Sequence, residues 1–210
     1  MNKSFLGLVL IVALAIASLF VFALEVKYKF ENNAIHPLDN VKGNKEAKVI
    51  LIEYSDFECP ACRSYYPILR QLFTEFGDRA TFVYRHFPLS GIHPNAEFAA
   101  RAAEAAGKQG KFWEMHDLLF QKQAEWSKVA DIVPVFKNYA ALLGIDTEQF
   151  EKDFNSREVK DFVSSQKAHA SSLGFPGTPT FVLNGEVIDN PSSIEQFRSI
   201  ILKKINESGN

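Results

Sequence analysis

Both cysteines of this 210-residue chain sit in one motif, Cys59-Pro60-Ala61-Cys62. Residues three apart on a helix share a face, so the two sulfurs can meet and bond within one turn. Pro60 suits the first helical position, where a missing amide hydrogen costs nothing. That places Cys59 at the helix N-terminus, where unpaired amides and the positive end of the dipole favour an anion. Its thiol should ionise more readily than a free one, and Cys62, one turn in, should be the more buried, resolving thiol. Such a pair can carry thiol–disulfide exchange through a mixed disulfide. Two blander readings are weaker. A zinc site would need further ligands, and His36, His86, His93, His116 and His169 lack the close pairing such sites use. An inert bridge across three residues closes too short a loop to add much stability.

The elements around the motif form a β-α-β unit. Val49-Ile50-Leu51-Ile52 is a continuous apolar run of the kind found in buried central strands. A helix from near Cys59 to about Phe76 follows, with Tyr65, Ile68, Leu69, Leu72, Phe73 and Phe76 at helical spacing and Gly77 as its stop. Thr81–His86 alternates as a second strand, closed by Pro88. Residues 94–172 then change character: an alanine stripe from Ala96 to Ala106, the amphipathic run Phe112, Met115, Leu119 and Phe120, and no strand signal. Helix starts are expected at Asp131, at Asp146 with Gln149, and at Asn155 with Glu158. The strand pattern returns at Thr180–Leu183 and Val187-Ile188, joined by the hairpin dipeptide Asn184-Gly185. Ser192 with Glu195 should cap a final helix bearing Ile194, Phe197, Ile201 and Ile205. Pro179, just before the Thr180–Leu183 strand, cannot donate to a ladder and marks a strand start or a special turn.

Composition narrows the function classes. Apolar residues make up 47% and charged residues 23%, ordinary for a globular protein. The net charge of −2 offers no basic face for neutralising phosphates, which argues against nucleic-acid binding. Residues 5–24, FLGLVLIVALAIASLFVFAL, carry no charge. Twenty helical residues span about 30 Å, the thickness of a bilayer's hydrocarbon core. Cleavable signals have a shorter apolar region, roughly 7–15 residues. The stretch therefore reads as an uncleaved N-terminal anchor, with a signal peptide cut after Ala23 as the alternative. Lys27 and Lys29 beyond its far end give the positive-inside rule only weak support.

Glu53-Tyr54-Ser55-Asp56-Phe57-Glu58-Cys59-Pro60-Ala61-Cys62, together with Gly177-Thr178-Pro179-Thr180, resembles the DsbA-like branch of the thioredoxin superfamily. Tyr84–Leu89 and Phe112–Phe120 extend the resemblance to roughly residues 38–205. It implies an α/β thioredoxin-like core with an inserted helical subdomain, preceded here by the N-terminal apolar helix. The divisions are 1–24 anchor or signal, 25–46 tether with a short edge segment, 47–93 first half of the core, 94–172 helical insertion, and 173–210 second half. By resemblance the Thr178–Pro179 bond is cis and packs on the active-site pair, and Thr178 offers backbone hydrogen bonds to an extended substrate. Thr178 and Pro179, with Pro60 and Ala61, then form the substrate platform. Glu53 holds the place of a buried acid six residues before the first cysteine. A carboxyl on an apolar strand would be desolvated, with a raised pKa, and could exchange protons with Cys62. Glu58 reads as a solvated charge, His86, His93 and His116 as structural, and Trp113 and Trp126 as core or groove residues of the insertion. One departure stands out: Ala61 occupies the place where strongly oxidising members carry histidine, which implies a milder oxidant.

The resemblance implies an exported thiol:disulfide oxidoreductase, membrane-anchored with its catalytic domain outside the cytoplasm, or secreted after cleavage. Disulfide donation to extracytoplasmic cysteine-containing proteins is the expected direction, with no cofactor or metal. A separate quinone-linked membrane thiol oxidoreductase would reset the couple. The alternatives are a reductase or isomerase, and a non-catalytic module that holds unfolded clients.

Overall fold

The computed structural model describes residues 9–18 and 28–209. Residues 9–18 are helical and belong to a separate unit from the body, which begins at Glu31. The remainder of the apolar stretch 5–24, and the Ala23 cleavage position, lie outside the described residues. Among the described residues no helix is long and apolar enough to cross a membrane.

Five strands form one mixed sheet in the order β1-β3-β2-β4-β5. They are β1 (Asn40–Gly43), β2 (Val49–Ser55), β3 (Ala80–His86), β4 (Thr180–Leu183) and β5 (Glu186–Ile188). β2 and β3 are parallel, and every other pairing is antiparallel. The short segment expected at the edge is β1. Side chains along β2 alternate between the two faces of the sheet. Val49 and Leu51 pack with α1 (Pro60–Phe76) and with a C-terminal helix (Ile194–Glu207), burying Leu69, Leu72, Phe76, Phe197, Ile201 and Ile205. Ile52 and Tyr54 point to the other face, with Val83, Val182 and Ala170. Glu53 and Ser55 therefore share the α1 face.

The insertion supplies α2 (Ala96–Gly107), α3 (Phe112–Gln121), α4 (Gln123–Trp126), α5 (Val133–Leu142), α6 (Thr147–Asn155) and α7 (Arg157–Ser172); the C-terminal helix is α8. Seven alanines of α2 are buried, a small-residue surface that lets its neighbours approach closely. The insertion's core reaches Phe57, both cysteines, Tyr66 and Tyr84, so the motif sits where insertion and sheet meet.

Several local expectations shift by a residue. α5 is not capped by Asp131: its N-cap is Ile132, without a side-chain hydrogen bond, and a proline in the first turn sets the start. α7 is capped by Ser156, which accepts from the Val159 amide, rather than by Asn155. α8 is capped by Ser193 accepting from Gln196, while the Gln196 side chain accepts from the Ser192 amide. In both α7 and α8 the cap moves one residue on, because Asn155-Ser156 and Ser192-Ser193 each offer two competing capping side chains. Asp146 caps α6 as expected, accepting from the Glu148 and Gln149 amides at 2.8 and 2.9 Å. Gly77 ends α1 with right-handed backbone, φ −62°, rather than the left-handed cap glycine permits. The Asn184-Gly185 turn has φ of 49° and 89°, the positive pair a two-residue hairpin needs.

A buried ion pair fastens residues 31–39 to the sheet. Arg85 and Asp39 have fully buried side chains, with Nη2 2.7 Å from Oδ2 and Nε 3.0 Å from Oδ1. Arg85 also donates to the carbonyls of Glu31 and Ala34 and to the Tyr54 hydroxyl. Much of the segment read as tether is thus held on the far face of the sheet.

Candidate active site

β2 ends at Ser55, and a four-residue turn delivers Cys59 to the N-cap of α1 with extended backbone, φ −68° and ψ 123°. Asp56 organises that turn. Its Oδ1 accepts from the Glu58 amide at 2.7 Å, and its Oδ2 meets the Leu89 amide at 2.9 Å and His93 Nδ1 at 2.7 Å. Its carbonyl accepts from the Cys59 amide. Glu58 corrects the sequence reading: it is 7% exposed, not solvated, because its Oε2 accepts from the Asn95 amide at the start of α2. Burial raises its pKa. Gln123 on α4 closes the turn from the insertion side, donating to the carbonyls of Phe57 and Cys59 at 2.7 and 2.9 Å.

Both cysteines are free thiols. Cys59 is 6% exposed and Cys62 is 0% exposed, so an incoming sulfur can reach only the first. Pro60 and Ala61 between them are exposed. The peptide bond Thr178–Pro179 is cis. Pro179 is buried beside the dithiol, and the Thr178 carbonyl accepts from the Cys59 thiol at 3.4 Å. A groove of about 440 Å³ runs on from there, lined by Pro176–Thr180 and Val187–Asn190.

The two thiols differ sharply. Hydrogen bonding from Cys62 is the largest influence on Cys59 and, with the Thr178 side chain and the Cys62 and Ala61 amides, lowers its pKa from 9.0 to about 5 against the opposing cost of burial. The S–H bond to the Thr178 carbonyl belongs to the neutral thiol; once Cys59 ionises, the Thr178 hydroxyl, which has no partner in this structure, is the group free to turn toward it. Burial, aided by proximity to Cys59 and Glu53, pushes the Cys62 thiol well up.

Glu53 is 6% exposed, with its carboxyl buried next to the dithiol. Desolvation raises its pKa from 4.5 to about 7, against a 2.8 Å hydrogen bond from Ser55 Oγ. His86, His93 and His116 face Glu104, Asp56 and Asp117. Trp126 is buried in the insertion, and Trp113, partly buried, donates to the Val41 carbonyl. Among the described residues no cluster of three His, Cys, Asp or Glu could hold a metal ion.

The structure thus gathers Cys59, Cys62, Glu53, Thr178 and Pro179 at one end of the sheet. It adds Ser55, Asp56 and Gln123, which the sequence reading did not single out. An aspartate two residues before the Glu58 amide is a recognisable turn signal. Gln123 lies 64 residues from Cys59 and carries no local signal.

A thioredoxin family model matches residues 36–203. Among solved structures, a thioredoxin-like oxidoreductase from Silicibacter pomeroyi DSS-3 is 29% identical with a TM-score of 0.68, covering 82% of this chain and 94% of that one. Alpha-DsbA1 of Wolbachia pipientis is 21% identical with a TM-score of 0.73, covering 85% and 98%. BdbD of Bacillus subtilis is 23% identical with a TM-score of 0.69, covering 80% and 93%. Among curated proteins, the Na(+)/H(+) antiporter NhaA 3 of Salinispora tropica is 38% identical over 164 residues, 78% of this chain and 24% of the relative. The chain spans about a quarter of the length of the curated relatives it matches first. The chain belongs to this thioredoxin family, and it shares its fold with the DsbA-type structures named above.

Proposed function

We propose that the protein exchanges disulfides with cysteine-containing proteins outside the cytoplasm, acting as a disulfide donor through Cys59 and Cys62. The observation that carries this reading is the asymmetry of the pair: an accessible thiol lowered to about 5 beside a buried thiol pushed well up. A substrate thiolate attacks Cys59 Sγ of the oxidised pair, the Cys59–Cys62 bond breaks, and Cys62 departs as a thiolate. A second substrate thiolate then attacks the substrate sulfur of the mixed disulfide, releasing Cys59 as the stable thiolate. Stabilising that leaving group favours the reduced protein and so makes the disulfide oxidising.

Glu53 supplies and accepts the Cys62 proton in this reading. Thr178, Pro179, Pro60 and Ala61 form the platform on which an extended substrate segment lies. The chain divides functionally into 1–24 anchor or signal, 25–46 connection, a core of 47–93 and 173–210, and the insertion 94–172. The uncharged stretch 5–24 supports membrane anchoring with the catalytic body outside, or secretion after cleavage. Both cysteines of the sequence are committed to the couple, so a separate oxidant must reset it. By family resemblance this is a quinone-linked membrane thiol oxidoreductase. Ala61, which offers only its amide to Cys59, favours the second reading of a reductase or isomerase.

The reduction potential separates donation or isomerisation from reduction. Equilibration in glutathione buffers with thiol trapping should give a value between about −120 and −180 mV for a donor or isomerase. A value near about −270 mV would overturn donation and make the partner an electron source. Failure to titrate as a two-electron couple would remove the enzyme reading altogether.

A further inference from the structure

We propose that the Ser55 hydroxyl is the relay through which the proton passes between Glu53 and Cys62. This inference rests on the exchange reading above and assigns a role to a residue that reading does not use. Ser55 is the last residue of β2, 1% exposed, and stands two residues after Glu53 on the same face of the strand. That face lies under α1, where Cys62 is fully buried. Ser55 Oγ donates to Glu53 Oε1 at 2.8 Å, and the same hydroxyl acts to lower the pKa of the buried Cys62 thiol. Tyr84, paired with Glu53 in the β2–β3 register, brings a buried hydroxyl to the same spot, and that hydroxyl meets no partner at hydrogen-bond geometry. The titratable groups facing the cluster are Glu53 from β2, Cys59 and Cys62 from α1, and Tyr84 from β3, with Asp56 acting from the turn.

A hydroxyl has one proton to give and two lone pairs to accept with. Ser55 therefore cannot donate to Glu53 and to a Cys62 thiolate at once, and that restriction makes it a two-position relay. With Glu53 ionised and Cys62 neutral, Ser55 donates to the carboxylate, as observed, and can accept from the thiol. When Cys62 leaves the disulfide as a thiolate, protonated Glu53 gives its proton to Ser55 Oγ while Ser55 gives its own to the sulfur. One proton moves in total, Glu53 ends ionised, Cys62 ends neutral, and no redox equivalent is consumed. Reformation of the disulfide runs the same chain backwards: Cys62 loses its proton through Ser55 to Glu53, then attacks Cys59 Sγ. Cys62 is fully buried and Glu53 is 6% exposed, so the short path for the proton runs between the two inside the cluster.

The test uses the full chain, oxidised, mixed rapidly with reduced glutathione and quenched in acid. Ser55→Ala should slow the release of Cys62 at pH 7 about a hundredfold, the lower end of what a positioned acid or base contributes. It should leave the pH midpoint of Cys59 alkylation unmoved, which a general loosening of the site would not. Ser55→Thr, which keeps the hydroxyl, should restore most of the rate. Glu53→Gln should be slow as well, and the double variant no slower than the slower single one, because two links of one chain act as a unit. Wild-type speed in Ser55→Ala with a slow Glu53→Gln would overturn the relay and leave the role of Glu53 standing. Multiplied effects in the double variant would overturn it too. Wild-type speed in Glu53→Gln would remove the role of Glu53 itself and the relay with it. Should Ser55→Ala fail to fold, Ser55→Gly supplies the second hydroxyl-free variant, read the same way.

Discussion

Replacing Cys62 with alanine tests the electrostatics of the site most directly. The Cys62 thiol is the largest influence holding the Cys59 pKa at about 5, ahead of the Thr178 side chain and the amides of Cys62 and Ala61. A hydrogen bond to a charged group contributes about 1.5–3 kcal/mol, and one pKa unit corresponds to about 1.4 kcal/mol. Deleting that one donor while the others remain should move the midpoint from about 5 to roughly 6–7. Cys62→Ser keeps a donor in the same place and should leave Cys59 close to its wild-type value. The assay is absorbance of the thiolate near 240 nm against pH, checked by the pH dependence of iodoacetamide alkylation. Wild-type protein should show a single midpoint near 5, because Cys62 lies far above the range scanned. An unmoved midpoint in Cys62→Ala would refute the donor role of Cys62 and shift the cause to the helix N-terminus and Thr178. A midpoint in Cys62→Ser as high as in Cys62→Ala would refute it equally.

Two further predictions concern stability. Glu53 is raised from 4.5 to about 7 in the folded protein, so the folded state holds its proton more tightly; the associated stability is complete below about 4.5 and is lost as pH rises through about 7. Glu53→Gln in the oxidised protein should therefore gain on wild type by about 2–3 kcal/mol between pH 4 and pH 8 in urea denaturation, and a pH-independent difference would sink the assignment. Arg85→Met strands the Asp39 carboxylate inside the protein together with the Glu31 and Ala34 carbonyls, and should cost about 3–5 kcal/mol in the same assay, with Arg85→Met/Asp39→Leu recovering most of it. A loss under about 1 kcal/mol would mean the pair is open to water.

What was legible in the sequence was local chemistry. The Cys-Pro-Ala-Cys motif announced an N-terminal thiolate because proline tolerates the first helical position and cysteine precedes it. The Val49–Ile52 run, the alanine stripe and Asn184-Gly185 found their strand, helix and hairpin because periodicity and positive φ are properties of a few neighbouring residues. Caps were less legible: Ser192 and Ser193 both qualify, and only the backbone path chooses Ser193. Glu58 was misread for the same reason, since nothing beside it shows that the Asn95 amide will arrive to bury it.

The sequence by itself determined that a thiol pair sits at a helix N-terminus after a buried strand. Only the tertiary structure decided which groups surround it. Thr178, Gln123 and Tyr84 reach the dithiol from 119, 64 and one strand away through sheet pairing and docking of the insertion. A pKa depends on distance and desolvation in space, and neither is a function of separation along the chain.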